Sequence, residues 1–200
     1  MSDQTDEREE TLHVLAICGS LREHSYTRLG LQRALEAAES SGVSTELLDL
    51  REWELPLIDA DSEKSDAGDA AEFAARVRAA DAIILGSPMY HGSYSSPLKT
   101  ALDYCGFDEF ADKTVGLLAV SGGAFPVTAL DHMRSVCRAL NAWVLPHEAA
   151  IARPQSAFDG TDFTDERLEE RVATLGRRVV QYANIEPDPD SFESDQNVGA

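Results

Sequence analysis

The chain has 200 residues, 43% of them apolar, with 17 Lys+Arg against 36 Asp+Glu and a formal net charge of −19. That composition is globular and long enough for one domain with a sizeable core, while the negative charge argues against nucleic acid and anionic membrane, whose binders must set cations on phosphates. No run of about 18 apolar residues predicts a membrane span, the start MSDQTDEREE lacks the basic and apolar regions of an export signal, and three scattered cysteines (Cys18, Cys105, Cys137) fit a reducing cytoplasm and no zinc site.

The first apolar run, His13–Cys18 (HVLAIC), is too short for a helix and predicts a buried strand. Thr27–Ser41 places Leu31, Ala34, Leu35 and Ala38 at helical spacing, and Gly42 stops it. Thr45–Leu50 predicts a second strand and Arg51–Gly68 a long polar loop. Asp69–Ala80 follows as a helix with Phe73 and Val77 inward, then Ala82–Gly86 (AIILG) as a strand. Ser96–Tyr104 begins another helix, with Pro97 in its first turn. Thr114–Ser121 predicts a strand, Thr128–Leu140 a helix, Ala142–Leu145 a short strand and Thr164–Asn184 a final amphipathic helix. This bounds one domain over 11–184. The acidic stretches 1–10 and 185–200 are expected to be disordered.

Five strands separated by helices imply a parallel sheet covered on both faces, an α/β three-layer sandwich with right-handed crossovers. In the flavodoxin-like order 2-1-3-4-5, strands one, three and four are central neighbours, and ligands sit at their carboxyl ends. The polar clusters fall there: GSLREHSYTR after strand one, GSPMYHGSYSSP after strand three and SGGAFP after strand four.

The first cluster enters a helix N-terminus, where free N–H groups and the dipole favour an anion. Ser20, Ser25 and Thr27 add hydroxyls, and Arg22 or Arg28 adds charge. Capping alone would need one hydroxyl, for which Ser25 suffices. A nucleotide-triphosphate loop would need a lysine, and a dinucleotide fingerprint would need glycine where Leu21 stands. A C-x5-R phosphatase loop would need arginine where His24 stands, so Cys18 reads as a buried strand cysteine. The second cluster offers an aromatic and apolar bed, and SGG offers bare amides for a carbonyl-rich ring. A phosphate at one end and a flat polar ring at the other describe flavin mononucleotide, FMN.

GSLR-x2-S-x-T, SPMYHGS-x3-PLKTALD and SGG together resemble the NADPH-dependent FMN reductase family over about residues 12–150. Related quinone, chromate and azo reductases share the pattern. The resemblance implies a flavodoxin-like fold and an FMN phosphate held by Ser20, Arg22, Ser25 and Thr27, with Tyr26 also among the cofactor-binding residues. It implies ribityl and ring contacts from Pro88, Met89, Tyr90, His91, Gly92 and Ser93, and pyrimidine contacts from Ser121, Gly122 and Gly123. Thr27 and His91 stand where the family usually has asparagine. Hydride would pass from NADPH or NADH through FMN to a small acceptor (flavin, quinone, azo compound or metal oxyanion) in a ping-pong cycle, with no catalytic side chain. The amides of Gly122 and Gly123 would stabilise charge on the reduced ring. The resemblance also implies a cytoplasmic homodimer or dimer of dimers, with the Ser96–Tyr104 helix near the interface and Leu98, Leu102 and Phe107 compatible with it.

A flavodoxin-type electron carrier and a non-enzymatic flavin-binding module are the alternative functions. The acidity fits a surface adapted to high salt or a face for a basic partner. His13, His132, His147 and Lys99 are expected to be structural or on the surface. Trp53 and Trp143 are expected in or near the core, Cys105 and Cys137 in structural roles, and Asp81 at a helix-to-strand turn.

Overall fold

The computed structural model describes residues 11–63, 66–183 and 185; the expected acidic tails at 1–10 and 185–200 lie outside it, apart from residue 185. Five parallel strands form one sheet: β1 (His13–Cys18), β2 (Ser44–Asp49), β3 (Ala82–Pro88), β4 (Thr114–Ser121) and β5 (Trp143–Ala152). Their spatial order is β2-β1-β3-β4-β5, the doubly wound order expected. The helices are α1 (Tyr26–Glu39), α2 (Ala70–Ala79), α3 (Ser96–Asp103), α4 (Phe107–Phe110), α5 (Val127–Ala139), α6 (Pro154–Ala157) and α7 (Glu166–Gln181). A hairpin of β6 (Phe158–Asp159) and β7 (Asp162–Phe163) precedes α7.

Alternation along the strands separates two cores. Leu15, Ile17, Ile83, Leu85 and Leu117 point to one face, where Phe73 and Val77 of α2, Leu98 and Leu102 of α3, and Leu130 and Met133 of α5 cover them. Val14, Ala16, Ile84 and Leu118 point to the other, under Leu31 and Leu35 of α1 and Leu175 and Val179 of α7. Period-two alternation on a sheet buried on both faces requires this division. No described helix is long and apolar enough to cross a membrane.

The structure extends β5 well past the expected Leu145. Val115 pairs with Val144 and Leu117 with Glu148, so three residues of β5 oppose the single Gly116. Pro146 lies in that bulge on an edge strand, where its missing N–H interrupts no ladder. Apolar residues resume with Ala149 and Ile151, both fully buried. Two further expectations are corrected. Leu98 and Leu102 are core residues, 0% and 3% exposed, and are unavailable to an interface, whereas Phe107 is 61% exposed. Trp143 is exposed on edge strand β5, while Trp53 packs edge-to-face on Phe73 with ring centroids 5.5 Å apart.

Asp81 accepts the His13 N–H at 2.6 Å and ties the starts of β1 and β3. Lys99 pairs with Asp103 on the helix surface. Cys18, Cys105 and Cys137 are buried and unbridged. Burial pushes the Cys18 thiol up and the Cys137 thiol up to about 12, so neither is a thiolate near neutrality.

Candidate functional site

The loop after β1 is fastened on all sides. Gly19 donates its N–H to the Gly86 carbonyl at 2.8 Å, and its own carbonyl accepts the Ser95 hydroxyl at 2.6 Å. A Cβ on Gly19 would lie 2.8 Å from Leu98 Cβ, so only glycine fits. Ser25 lies beneath the loop as the N-cap of α1: it is buried, and its hydroxyl accepts the Arg28 N–H at 3.2 Å. That is the capping role weighed from its position.

Arg28 holds the loop from within. Its guanidinium donates to Asp49 Oδ2 at 2.7 Å, to the Glu23 carbonyl at 2.9 Å and to the Arg22 carbonyl at 3.0 Å. Arg51 binds the same carboxylate at 2.7 Å. Burial alone would raise the Asp49 carboxyl, but the hydrogen bonds from Arg51 and Arg28 outweigh it and hold it below the usual carboxylate range. Arg28 is therefore engaged inside the loop, and Arg22 is the arginine left facing the cleft.

The loop after β3 is joined to the first. Ser87 accepts the Ser95 N–H at 2.8 Å and donates to the Pro88 carbonyl at 2.8 Å, and Ser95 caps α3. Tyr90 and Ser93 exchange two backbone hydrogen bonds of 3.0 Å around His91 (φ 49°) and Gly92 (φ 82°). Two consecutive positive φ values define the tight hairpin turn that favours Asn-Gly, and histidine is among the types that tolerate the left-handed region. His91 is thus at a position whose side-chain choice the backbone governs. Two residues of α5 brace this turn: Thr128 donates to Met89 Sδ at 3.4 Å, and His132 Nδ1 lies 2.9 Å from the Ser93 hydroxyl. His132 is on the surface, as expected, yet it braces the site.

After β4, Ser121 is buried and its hydroxyl accepts the Gly123 N–H at 3.1 Å. Of the two amides expected to face a ligand, only that of Gly122 is left uncommitted. Ser20, Arg22, Tyr26, Thr27, Pro88, Met89, Tyr90 and Gly122 line one cleft of about 110 Å³. Ser25, His91, Gly92, Ser93, Ser121 and Gly123 support it from beneath or beside. Val120, Pro154 and Gln155 also line it and were not anticipated. Pro154 and Gln155 follow β5, and the signal for them was the small apolar run Ala149–Ala152, which continues the strand to the carboxyl edge.

Larger depressions of about 680 and 370 Å³ lie against α1 with the β6–β7 hairpin, and beside the loop after β2. Neither contains a residue of the loops after β1, β3 or β4. Electrostatics also favour the cleft. The first turns of α2, α4 and α7 carry acids, as the favourable dipole interaction allows, but those of α1, α3 and α5 carry none. These three helices follow the strands that meet at the cleft, and in a chain with 36 acids their bare N-termini keep positive potential for an anion. A phosphate near Ser20, Arg22 and Thr27, with a planar ring near Pro88, Met89, Tyr90 and Gly122, suits this donor set.

A family model described as NADPH-dependent FMN reductase matches residues 12–155. An FMN-dependent NADPH-azoreductase of Staphylococcus aureus is 33% identical over 185 residues, spanning 86% of this chain and 96% of that protein. Among solved structures, an NADH:FMN oxidoreductase in its apo form superposes with a TM-score of 0.71 at 21% identity, covering 88% of this chain and 92% of its own. A flavoenzyme NAD(P)H:(acceptor) oxidoreductase from Paracoccus denitrificans gives 0.71 at 19% identity, covering 86% and 97%. An FMN-dependent NADH-azoreductase from Bacillus anthracis in complex with FMN gives 0.60 at 13% identity, covering 86% and 100%. At such identities these structures are similar in fold alone.

Proposed function

Since this chain belongs to the NADPH-dependent FMN reductase family, we propose that its cleft holds FMN with the phosphate on the Ser20–Thr27 loop and the ring against Pro88, Met89, Tyr90 and the Gly122 amide. Family membership makes the protein an FMN-dependent NAD(P)H oxidoreductase, so the electron-carrier and passive flavin-binding alternatives give way. The observation that supports the site is convergence: eight residues anticipated on three separate loops line one cleft.

When bound, FMN supplies the hydride chemistry between NADPH or NADH and a second substrate, in a ping-pong cycle. The chain's own groups bind and orient. Ser20, Thr27 and the N-terminus of α1 receive the phosphate, and Arg22 adds a charge-assisted hydrogen bond. The Gly19–Ser95 and Ser87–Ser95 bonds fix the distance between the phosphate loop and the ring loop. Tyr90 and Phe125, 47% and 78% exposed, offer aromatic surface to a flat second substrate. The acceptor class is a small aromatic molecule, and the name of the Staphylococcus relative favours an azo compound.

A cleft of about 110 Å³ is small beside the ~300–1,000 Å³ of ordinary ligand pockets. A second copy of the chain, in a homodimer or dimer of dimers, would complete its open side. The buried free cysteines support a cytoplasmic location. FMN fluorescence titration tests the binding reading. Saturable quenching is expected, with riboflavin, which lacks the phosphate, at least about tenfold weaker through loss of charge-assisted hydrogen bonds. Equal affinity for FMN and riboflavin would contradict the phosphate loop; no saturation with FMN would contradict the site.

A further inference from the structure

Among the described residues, four non-glycines adopt positive φ: His91 (49°), Asp112 (64°), Asn141 (57°) and Arg153 (47°). Asn, Asp and His are the types enriched in that region, and arginine is not. A side chain kept in an unfavourable backbone region marks a place that the surrounding structure holds for a reason. Here the holding groups are the carbonyls of Ser121 at 2.9 Å and Gly123 at 3.3 Å, both of which accept the Arg153 N–H. Arg153 is thereby joined to the loop after β4, and the next two residues, Pro154 and Gln155, line the cleft.

Its guanidinium is also uncommitted. The Arg28, Arg51 and Arg134 guanidinium groups are all paired with carboxylates. That of Arg153 has no hydrogen-bond or ion-pair partner among the described residues, on a chain with 36 acids. The same loop is short of donors, because the Gly123 N–H is taken by the Ser121 hydroxyl and only the Gly122 amide remains.

We infer that Arg153 is a potential-setting residue: its cation, carried on an exposed side chain whose backbone N–H is bonded to the Ser121 and Gly123 carbonyls, favours the reduced over the oxidised state of FMN in the cleft. This rests on the FMN reading above and deepens it. Hydride from NAD(P)H brings two electrons and one proton to the ring and leaves NAD(P)+. One negative charge is thereby added on the pyrimidine side, which the proposed orientation sets against this loop. A neighbouring cation stabilises that charge and leaves the neutral oxidised ring almost unaffected.

The test uses the FMN-reconstituted protein as wild type, Arg153→Lys, Arg153→Asn and Arg153→Gly. Asn and Gly accept the backbone conformation without the charge; Lys keeps the charge. Oxidised-FMN affinity is read by fluorescence titration and the midpoint potential by equilibration with a reference dye. We expect the Asn and Gly variants to bind oxidised FMN within about twofold of wild type and reduced FMN about three- to tenfold more weakly, a tenfold loss lowering a two-electron potential by about 30 mV. Lys should retain most of the wild-type potential, and the gap should narrow with salt. Unchanged potentials in the Asn and Gly variants, or a Lys variant that falls as far as they do, would overturn the inference. Wild-type protein that binds no FMN would instead overturn the FMN reading at the first titration, and the inference with it.

Discussion

Replacing Gly19 by alanine should damage stability and FMN binding together, because Gly19 is where the first two loops touch. The new Cβ would meet Leu98 Cβ at 2.8 Å, Ser95 Oγ at 2.9 Å and the Gly86 carbonyl at 3.1 Å. Carbon–carbon contacts settle near ~3.5–4.0 Å, so α3 must withdraw from the end of β1 by about 0.7 Å or more. Two of the three obstacles belong to backbone or to a Cβ, which no side-chain rotation relieves. Overpacking of this kind costs about 1–3 kcal/mol. Stretching the Ser95–Gly19 hydrogen bond of 2.6 Å adds about 1 kcal/mol. A total near 3 kcal/mol lowers the Tm of a chain this size by about 6–12 °C. FMN affinity should fall about tenfold or more, because Ser20 moves with Gly19 relative to Pro88 and Met89. Thermal unfolding by circular dichroism without flavin reads the first effect, and FMN fluorescence titration the second. A Tm within about 2 °C of wild type, with unchanged FMN affinity, would refute the close-packed junction.

Arg22→Gln should weaken FMN binding by about tenfold, through loss of a charge-assisted hydrogen bond, while leaving the Tm of the flavin-free protein in place; equal losses in both would make Arg22 structural. Asp49→Asn strands two arginines beside the loop and should cost about 2 kcal/mol, below the ~3–5 kcal/mol of a fully buried pair, measured by urea unfolding. Because the Asp49 carboxyl is held below its ordinary value, its contribution is complete above about pH 4 and is lost as pH falls through the folded value; the acid limb of the wild-type stability profile should flatten in the variant. His91→Asn should preserve or raise stability and keep FMN affinity, whereas His91→Val, β-branched at φ 49°, should cost about 1–2 kcal/mol; a loss of FMN binding in the Asn variant would mean that the imidazole itself serves the ligand.

The parts legible in the sequence are those governed by short-range pattern. β1 and β4 have the residue bounds expected, because an apolar run buried on both faces ends abruptly where polar loop residues begin. The three loops were legible because strand order alone carries them to one edge of the sheet. The apolar pattern predicts an end to β5 at Leu145, just before Pro146; only the pairing with β4 reveals a bulge that accommodates the proline. Pro154 and Gln155 are hidden for the same reason, since a loop cannot be placed until the end of its strand is known. The four-residue helices α4 and α6 are too short to show a period. Which arginine faces the cleft depended on Asp49, 21 residues from Arg28 in sequence and 2.7 Å away in space. Side-chain partnership of that kind carries no local signature.

The most direct test of an FMN-dependent NAD(P)H oxidoreductase with its flavin in this cleft is an anaerobic visible spectrum of the FMN-reconstituted protein in high salt, before and after NADPH or NADH and then after an azo compound or quinone. The oxidised flavin band should bleach in one two-electron phase with at least one nucleotide and return when the acceptor is added. FMN that binds tightly but is bleached by neither nucleotide would contradict that function.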